Sequence, residues 1–215
     1  MRIIFIGPPG TGKGTQSNFI TNKYSIPTIS VGDILRSNTT QNNEYNKKIN
    51  DIINEGKLVD DNTIIQLTKK RIHQIDCRKG FVLDGFPRTI PQAHALKNMN
   101  IKIDYVIQFE LSYKLIIDRI KGRRIHIPSG RIYHKKYNPP KKENIDDITG
   151  QKLTVRKDDN EEKINKRIEE YQKYTLPLAE YYKKEEQLGY IKYYIINAQL
   201  TPLIIHKQLE KIFIQ

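Results

Sequence analysis

The sequence contains a single cysteine, Cys77, and lacks any long hydrophobic run. One cysteine excludes a disulfide within the chain and any zinc site built from several cysteines. A lone thiol is typical of proteins in a reducing compartment. The apolar run Ile3–Ile6 has only four residues, which is too short for the hydrophobic part of a signal peptide or for a membrane span. These absences predict a soluble, cytoplasmic protein.

Acidic residues are scarce relative to basic ones, with 24 Asp and Glu against 37 Lys and Arg and a formal net charge of +13. Such a surplus suits an anionic partner, whether a nucleotide, a nucleic acid or an acidic membrane. Codon bias would give the same surplus, because the chain is rich in Lys, Ile, Asn and Tyr, whose codons are rich in A and T. Charge alone therefore does not select a function.

Short apolar runs alternate with segments of helical spacing along most of the chain. Five runs predict strands: Ile3–Ile6, Pro27–Ser30, Phe81–Asp84, Tyr105–Phe109 and Tyr193–Ile196. Helical spacing follows at Thr15–Lys23, Ser112–Lys121 and Leu203–Phe213. This alternation predicts an α/β fold in three layers, with a five-stranded parallel sheet between two layers of helices. Functional residues then collect at the carboxyl ends of the strands.

Two stretches interrupt the alternation and predict insertions. Residues 30–59 read as short polar helices, and residues 122–159 contain several prolines and glycines with 10 Lys and Arg against 5 Asp and Glu. We expect a core of residues 1–29, 60–121 and 160–215, with both insertions at the carboxyl edge of the sheet, where mobile lids are found. A polar helix over residues 160–187, bent near Pro177, returns the chain to the core.

The segment Gly7–Thr15, Gly-Pro-Pro-Gly-Thr-Gly-Lys-Gly-Thr, follows the first strand and precedes a helix. Glycines let backbone amides converge on a phosphate, the helix adds its positive amino-terminal end, and Lys13 adds a charge. The spacing matches the P-loop pattern except that Gly14 stands where Ser or Thr usually follows the lysine. A plain glycine turn is the alternative, but the strand before it and the helix after it favour a phosphate site.

Further motifs occur in order along the chain. They are Gly7–Gln16, Gly32-Asp33-Ile34-Leu35-Arg36, Leu83-Asp84-Gly85-Phe86-Pro87-Arg88, Gly122-Arg123-Arg124, Gly130-Arg131-Ile132-Tyr133-His134, Tyr137-Asn138-Pro139-Pro140 and Arg156-Lys157-Asp158-Asp159. Together they resemble the adenylate kinase family in its long-lid bacterial form. The resemblance implies a helical insertion at 30–59 that binds the nucleoside monophosphate (NMP), a small β lid at 122–159, and a monomer.

The resemblance also implies roles for individual residues. Residues implied to bind ATP are Gly10, Thr11, Gly12, Lys13, Gly14, Thr15, Arg119, Arg123, Ile132, Tyr133 and Leu200. Residues implied to bind AMP are Val31, Arg36, Lys57, Leu58, Val59, Gly85, Phe86, Pro87, Arg88, Gln92, Arg156 and Arg167. The implied catalytic residues are Lys13, Arg88, Arg123, Arg156 and Arg167, and Asp84 with Asp33 is implied to orient water around Mg2+. Guanidinium groups suit phosphate because they are planar and always charged.

The lid offers a substitute for a metal site. Some members of the family resemble zinc proteins here, with two close pairs of cysteines, whereas this chain has His126 and Ser129, then Asp146 and Thr149. These side chains can hydrogen-bond across a small sheet, and hydroxyl oxygens are poor zinc ligands. We therefore expect a polar network and no zinc; four unrelated loop residues are the alternative.

The expected reaction is reversible phosphoryl transfer from Mg-ATP to AMP, giving two ADP and serving adenine nucleotide homeostasis. We expect neither a nucleic acid nor a membrane as partner. Val31 departs from the family, which commonly has Thr at this position, and it keeps a UMP, CMP or GMP kinase of the same fold open. An alternative of a different class is a basic P-loop protein that binds nucleic acid with strongly salt-dependent affinity.

Overall fold

A computed structural model describes residues 1–38, 49, 51–55, 57–156 and 158–214, without the side chains of residues 36–38. The strands are β1 (Arg2–Ile6), β2 (Thr28–Ser30), β3 (Phe81–Asp84), β4 (Tyr105–Glu110), β5 (Arg123–His126), β6 (Arg131–His134) and β7 (Lys192–Asn197). The helices are α1 (Lys13–Tyr24), α2 (Val31–Asn38), α3 (Asp61–Ile72), α4 (Ile90–Asn98), α5 (Tyr113–Lys121), α6 (Glu161–Glu170), α7 (Leu178–Gln187) and α8 (Pro202–Ile214). Helices α3 and α4 were not predicted from the sequence.

Five strands form one parallel sheet in the order β2-β3-β1-β4-β7, which confirms the predicted sheet. Strand β1 lies at its centre, and Phe5 is in register with Asp84 of β3 and Ile107 of β4. The glycine-rich loop, residues 7–15, therefore leaves the middle of the sheet with the end of β3 beside it.

The side chains of β1 alternate between two apolar layers. Ile4 and Ile6 pack in a cluster with residues of α3, α4 and α7 on one face of the sheet. Ile3 and Phe5 pack on the other face with residues of α1 and α8. Each of these four side chains is at most 2% exposed, and burying one such side chain contributes roughly 1.5–3 kcal/mol. The strand is thus fixed from both faces, which also fixes the point at which the glycine-rich loop leaves the sheet.

Strands β5 and β6 form the small antiparallel sheet predicted for the lid, extended by an isolated bridge between Ile125 and Thr154. The predicted long helix is divided into α6 and α7 by a π-helical turn, Tyr171–Thr175. Pro177 follows that turn and has no N–H to continue a regular helix. In the part of the chain that the structure describes, no helix combines the length and apolar character needed to cross a bilayer.

Candidate functional site

A cavity of about 710 Å3 opens at the carboxyl ends of the strands. Its walls come from the glycine-rich loop, α2, the end of β3, α5, the lid hairpin, α6 and the start of α8. Predicted site residues on its walls are Gly10, Thr11, Gly12, Lys13, Gly14, Thr15, Val31, Asp33, Lys57, Leu58, Val59, Asp84, Gly85, Pro87, Arg88, Gln92, Arg119, Arg123, Ile132, Tyr133, Arg156, Arg167 and Leu200. Residues from separate parts of the chain therefore meet at one site.

Two predicted residues are not among these walls. The Phe86 side chain is fully buried in the core with the apolar residues of α3 and α4, because its large ring gains most from burial. Only its backbone is left to take part in the site. The side chain of Arg36 lies outside the described residues.

The glycine-rich loop has a positive φ at Gly10 and Gly12, and Gly10 also lies close to α5. Gly10 has φ of +81°, and a Cβ there would lie 3.0 Å from Ile120 Cγ1 and 3.2 Å from the Ile116 carbonyl oxygen. Gly12 has φ of +87° and immediately precedes α1, which begins at Lys13. The loop thus turns tightly against α5 and delivers the chain into the amino-terminal end of a helix, an arrangement that favours anions.

The Lys13 ammonium lies folded back against the loop. Its Nζ donates to the carbonyl oxygens of Gly7 at 2.7 Å and Pro8 at 2.8 Å, and to Thr11 Oγ1 at 3.2 Å. Burial lowers the pKa of Lys13 to about 8, and Arg88 adds to this while Asp84 opposes it. Burial also raises the pKa of Asp84, which Lys13 opposes. The ammonium of Lys13 thus lies where burial disfavours its charge, and a negatively charged ligand beside it would offset that cost.

Four arginines surround the same space, and two of them pair with neighbouring aspartates. Arg123 Nε donates to Asp159 at 2.8 Å, and Arg167 donates to Asp158 at 2.7 Å and lies 3.6 Å from Asp159. Burial lowers the pKa of Arg167 to about 10, and Asp158 opposes that shift. These aspartates belong to the Arg156-Lys157-Asp158-Asp159 motif, but their pairing with the arginines was not predicted.

The remaining two arginines are placed by the end of β3 and by the lid. Arg88 Nε donates to the Gly85 carbonyl oxygen at 3.0 Å, and its own backbone carbonyl accepts from Thr175 Oγ1 at 2.9 Å. Arg156 lies 4.0 Å from Asp33 of α2. With Lys13, the four arginines surround one space with more positive than negative charge, which suits several phosphates at once.

One group of lining residues is apolar with a single amide. It comprises Val31, Leu35, Val59 and Ile64, with Gln92 from the first turn of α4. The side chains of Leu35 and Ile64 were not predicted, although both sit at apolar positions of polar helices. This group can enclose a flat heterocyclic base.

Another group of lining residues combines aromatic and cationic side chains. The Arg119 guanidinium lies 5.5 Å from the ring centroid of Tyr137, whose hydroxyl donates to Asp118 at 2.7 Å. Burial lowers the pKa of Arg119. The predicted Tyr133 is buried in the lid, where its hydroxyl donates to Asp146 at 3.0 Å. Tyr137 also lines the cavity, although no site role was predicted for it from its motif.

The lid contains the predicted polar network. His126 Nδ1 lies 2.6 Å from Ser129 Oγ, and His126 Nε2 lies 3.2 Å from Thr149 Oγ1 and 2.7 Å from Gln151 Oε1. Thr149 Oγ1 in turn donates to Asp146 at 2.8 Å. The predicted hydrogen bonding across the lid is confirmed.

Arg131 completes this network from strand β6. It donates to both carboxylate oxygens of Asp146, at 2.8 and 2.7 Å. This hydrogen bonding holds the pKa of Asp146 well below its usual range. Among the described residues, no cluster of three or more His, Cys, Asp or Glu side chains could hold a metal ion.

We expect Asp146→Asn to loosen the lid while leaving the core intact. The amide loses the charge that pairs with Arg131 and offers one acceptor oxygen instead of two. Amide hydrogen exchange in β5 and β6, followed by mass spectrometry, should accelerate about tenfold or more, with β1 and β4 unchanged. Asp147→Asn is the matched control, since Asp147 is exposed and accepts only from the backbone N–H of Lys141 among the hydrogen bonds described. Equal exchange in the two variants would contradict this role.

The carboxylates beside the loop fit magnesium. Asp84 Oδ2 would lie 3.9 Å from a Cβ placed on Gly14, so this carboxylate faces the loop directly. Asp33 lies on the same cavity wall. Both supply hard oxygen atoms, which Mg2+ prefers, often through bound water. The residues present therefore fit a magnesium ion that arrives with phosphates.

Comparisons with known proteins agree with this geometry. The family model described as adenylate kinase matches residues 5–187. Over 212 residues the chain is 54% identical to the adenylate kinase of Photorhabdus laumondii subsp. laumondii, with 99% of each chain covered. It is 55% identical over 212 residues to the adenylate kinase of Buchnera aphidicola subsp. Acyrthosiphon pisum, again with 99% of each chain covered. The chain belongs to the adenylate kinase family.

Proposed function

We propose that this enzyme transfers the γ-phosphoryl group of Mg-ATP reversibly to AMP, giving two ADP. Membership of the family makes it a nucleotide-binding kinase. The observation that carries the proposal is one cavity lined by Lys13 and four arginines, by the apolar side chains around Gln92, and by Arg119 with Tyr137. The cationic groups suit phosphates and the other two groups suit bases, as two nucleotides bound with their phosphates close together would require.

We assign these residues to an ATP end and an AMP end. The ATP end comprises residues 10–15 of the loop, a proposed P-loop, with Arg119, Arg123, Ile132, Tyr133 and Leu200. The AMP end comprises Val31, Lys57, Leu58, Val59, Gly85, Pro87, Arg88, Gln92, Arg156 and Arg167, with Arg36 proposed from its motif. The supporting fact is that every one of these side chains or backbones, Arg36 aside, lines the same cavity.

Phosphoryl transfer between two nucleotides is an electrostatic and positional problem. The acceptor phosphate is already an anion, so no residue has to remove a proton from it. Arg88, Arg123, Arg156 and Arg167 would offset the repulsion between donor and acceptor and hold them in line. Mg2+ bound with ATP would neutralise phosphate charge, with Asp84 and Asp33 holding it through water.

We further propose a core with two moving parts, an NMP-binding domain at residues 30–59 and a lid at 122–159. Arg123 and Arg156 belong to the lid, whereas Arg88 belongs to the core, so closure would complete the arginine cluster. Closure would also exclude water and so prevent hydrolysis of ATP. We place the enzyme in the cytoplasm as a monomer without zinc, nucleic acid or membrane partners; the single buried thiol, Cys77, supports a reducing compartment.

The test is ADP formation from Mg-ATP with AMP, UMP, CMP or GMP supplied in turn. A strong preference for AMP is the expected result. Better use of another monophosphate would support phosphoryl transfer but show that AMP is not the preferred acceptor. No transfer from folded protein to any of the four would overturn the proposal, and a gel-shift series at two salt concentrations would then test nucleic-acid binding.

We expect ATP affinity to fall as the pH rises above 8. Lys13 has a pKa of about 8 without ligand, and bound phosphates should raise it by favouring the charged ammonium. Binding above pH 8 then takes up a proton, and the association constant should drop about tenfold per pH unit between pH 9 and 10. Calorimetry of ATP binding in two buffers of different ionisation enthalpy measures this uptake directly. A Lys13→Arg variant keeps its charge throughout this range and should lack the uptake; equal uptake by both proteins would contradict the assignment to Lys13.

A further inference from the structure

The amide of Gln92 is held at both ends by the protein. Its Oε1 accepts from the backbone N–H of Arg88 at 2.8 Å, and its Nε2 donates to Asp61 Oδ1 at 2.7 Å. The Gln92 side chain is 2% exposed and lines the AMP end of the cavity. Asp61, the first residue of α3, does not line the cavity and lies behind Gln92.

Asp61 is itself fixed by Thr89. The Thr89 hydroxyl lies 3.0 Å from each carboxylate oxygen of Asp61, and Thr89 Oγ1 accepts from the backbone N–H of Gln92 at 3.3 Å as the N-cap of α4. The three side chains therefore join the start of α3 to the start of α4. Their contacts span about 30 residues of sequence.

These partners dictate which way the Gln92 amide points. The backbone N–H of Arg88 can only donate and an ionised Asp61 can only accept. If the amide rotated by half a turn, its NH2 would face the N–H and its oxygen would face the carboxylate. Both hydrogen bonds would be replaced by repulsive contacts, so one orientation is strongly preferred.

A fixed amide presents one donor and one acceptor in a fixed order. Gln92 has one N–H and one oxygen lone pair left for a ligand. A 6-aminopurine offers an acceptor at N1 and a donor at its 6-amino group, whereas a 6-oxopurine offers a donor at N1 and an acceptor at O6. In one orientation the Gln92 amide can pair with a 6-aminopurine. Rotated by half a turn, it would pair with a 6-oxopurine instead.

We propose that Asp61 is a positioning residue that sets acceptor specificity, holding Gln92 in the orientation that selects 6-aminopurine over 6-oxopurine monophosphates. This inference rests on the proposed function, since it concerns the base of the acceptor nucleotide. Asp61 touches no substrate and acts through Gln92. Sites that hydrogen-bond a polar group discriminate strongly, because a mismatched partner leaves buried groups unpaired.

The experiment compares AMP with IMP, which differ only at N1 and C6 of the base. In Asp61→Asn the new amide can donate as well as accept, so it no longer rejects the rotated Gln92. We expect the ratio of kcat/KM for AMP to that for IMP to fall about tenfold or more, with the KM for ATP unchanged. A ratio equal to that of the unaltered enzyme would overturn the proposal, even if both activities declined together.

Two further measurements separate positioning from general damage. Asp60→Asn is the matched control: Asp60 is the N-cap of α3, where asparagine serves equally well, so the ratio should not move. In a Gln92→Ala background, Asp61→Asn should leave the AMP to IMP ratio unchanged, because the residue through which it acts is gone. A ratio that still falls there would overturn the proposed route.

The proposal stays testable if the variants do not fold or if the proposed function fails. In the unaltered, ligand-free enzyme, NMR should show one Nε2 proton of Gln92 protected from solvent exchange by its bond to Asp61; rapid exchange of both protons would overturn the fixed orientation. If the unaltered enzyme transfers to no monophosphate, the proposed function fails, and equilibrium titration with AMP and IMP then supplies the ratio. If the enzyme transfers to AMP but the AMP to IMP ratio does not change in Asp61→Asn, the proposed function stands and only the role of Asp61 is overturned.

Discussion

Replacing Arg88 with alanine should lower kcat/KM for AMP at least about 100-fold, equivalent to about 3 kcal/mol of transition-state stabilisation. Arg88 lines the cavity close enough to Lys13 and Arg167 for their charges to interact, and the proposed acceptor phosphate would lie among these three cations. Steady-state kinetics with saturating Mg-ATP and varied AMP would measure the loss. A higher KM for AMP with unchanged kcat would show that Arg88 only binds AMP. A lower kcat would show that Arg88 acts in the transfer step.

The local fold should survive this substitution. The backbone N–H of Arg88 is held by Gln92 and its carbonyl by Thr175, and neither contact depends on the guanidinium. Arg78→Ala is the matched control, since Arg78 is an exposed arginine before the amino end of β3, whereas Arg88 follows its carboxyl end. Kinetics of Arg88→Ala indistinguishable from those of Arg78→Ala would refute the arginine cluster as the catalytic element.

The sheet was predictable because its central strands are short and buried on both faces. Runs such as Phe81–Asp84 and Tyr105–Phe109 leave no polar face, which favours a parallel strand over a helix or a surface strand. Strand β4 extends one residue further, to Glu110, and β1 begins one residue earlier, at Arg2. Both added residues are polar, and an apolar run cannot mark such ends.

The helix break at Pro177 was predicted, but its form was not. The chain passes through a π-helical turn in which the Leu176 N–H donates to the Tyr171 carbonyl oxygen at 2.8 Å. This turn brings the Thr175 hydroxyl to the carbonyl of Arg88. That contact joins residues 87 positions apart, and no local pattern in either segment indicates it.

The site shows the same division between local and distant information. The glycine-rich loop follows from local spacing alone, and the arginines follow from their motifs. The partners that fix these side chains do not follow from the sequence: Arg123 contacts Asp159 across 36 residues, and Gln92 contacts Asp61 across 31. These pairs arise when separate helices and the lid are folded together, so sequence spacing contains no signal for them. Phe86 shows the converse, since its motif implied a site role and its ring packs in the core.

Replacing Lys13 with methionine should reduce kcat/KM for ATP by about 100-fold or more, comparable to the loss of Arg88. Methionine keeps most of the apolar stem and removes the ammonium, so the change isolates the charge. Lys13 is the first residue of α1, and its ammonium is held against the loop carbonyls in the absence of ligand. A bound anion would draw the ammonium away from those carbonyls, and no other lysine of the described glycine-rich loop could replace it.

Stability should move in the opposite direction from activity. Burial lowers the pKa of Lys13 to about 8, which means that the folded, ligand-free protein holds this cation at a cost. A folded-state pKa of about 8, below the unfolded value of 10.5, makes the charged group destabilising at neutral pH, and this destabilisation is lost as the pH rises from about 8 to 10.5. Lys13→Met should therefore raise Tm at pH 7, whereas Lys23→Met, an exposed lysine of the same helix paired with Glu210, should not. A lower Tm together with lost activity would show that Lys13 supports the loop structurally. A higher Tm with lost activity would show a site that sacrifices stability for phosphate binding.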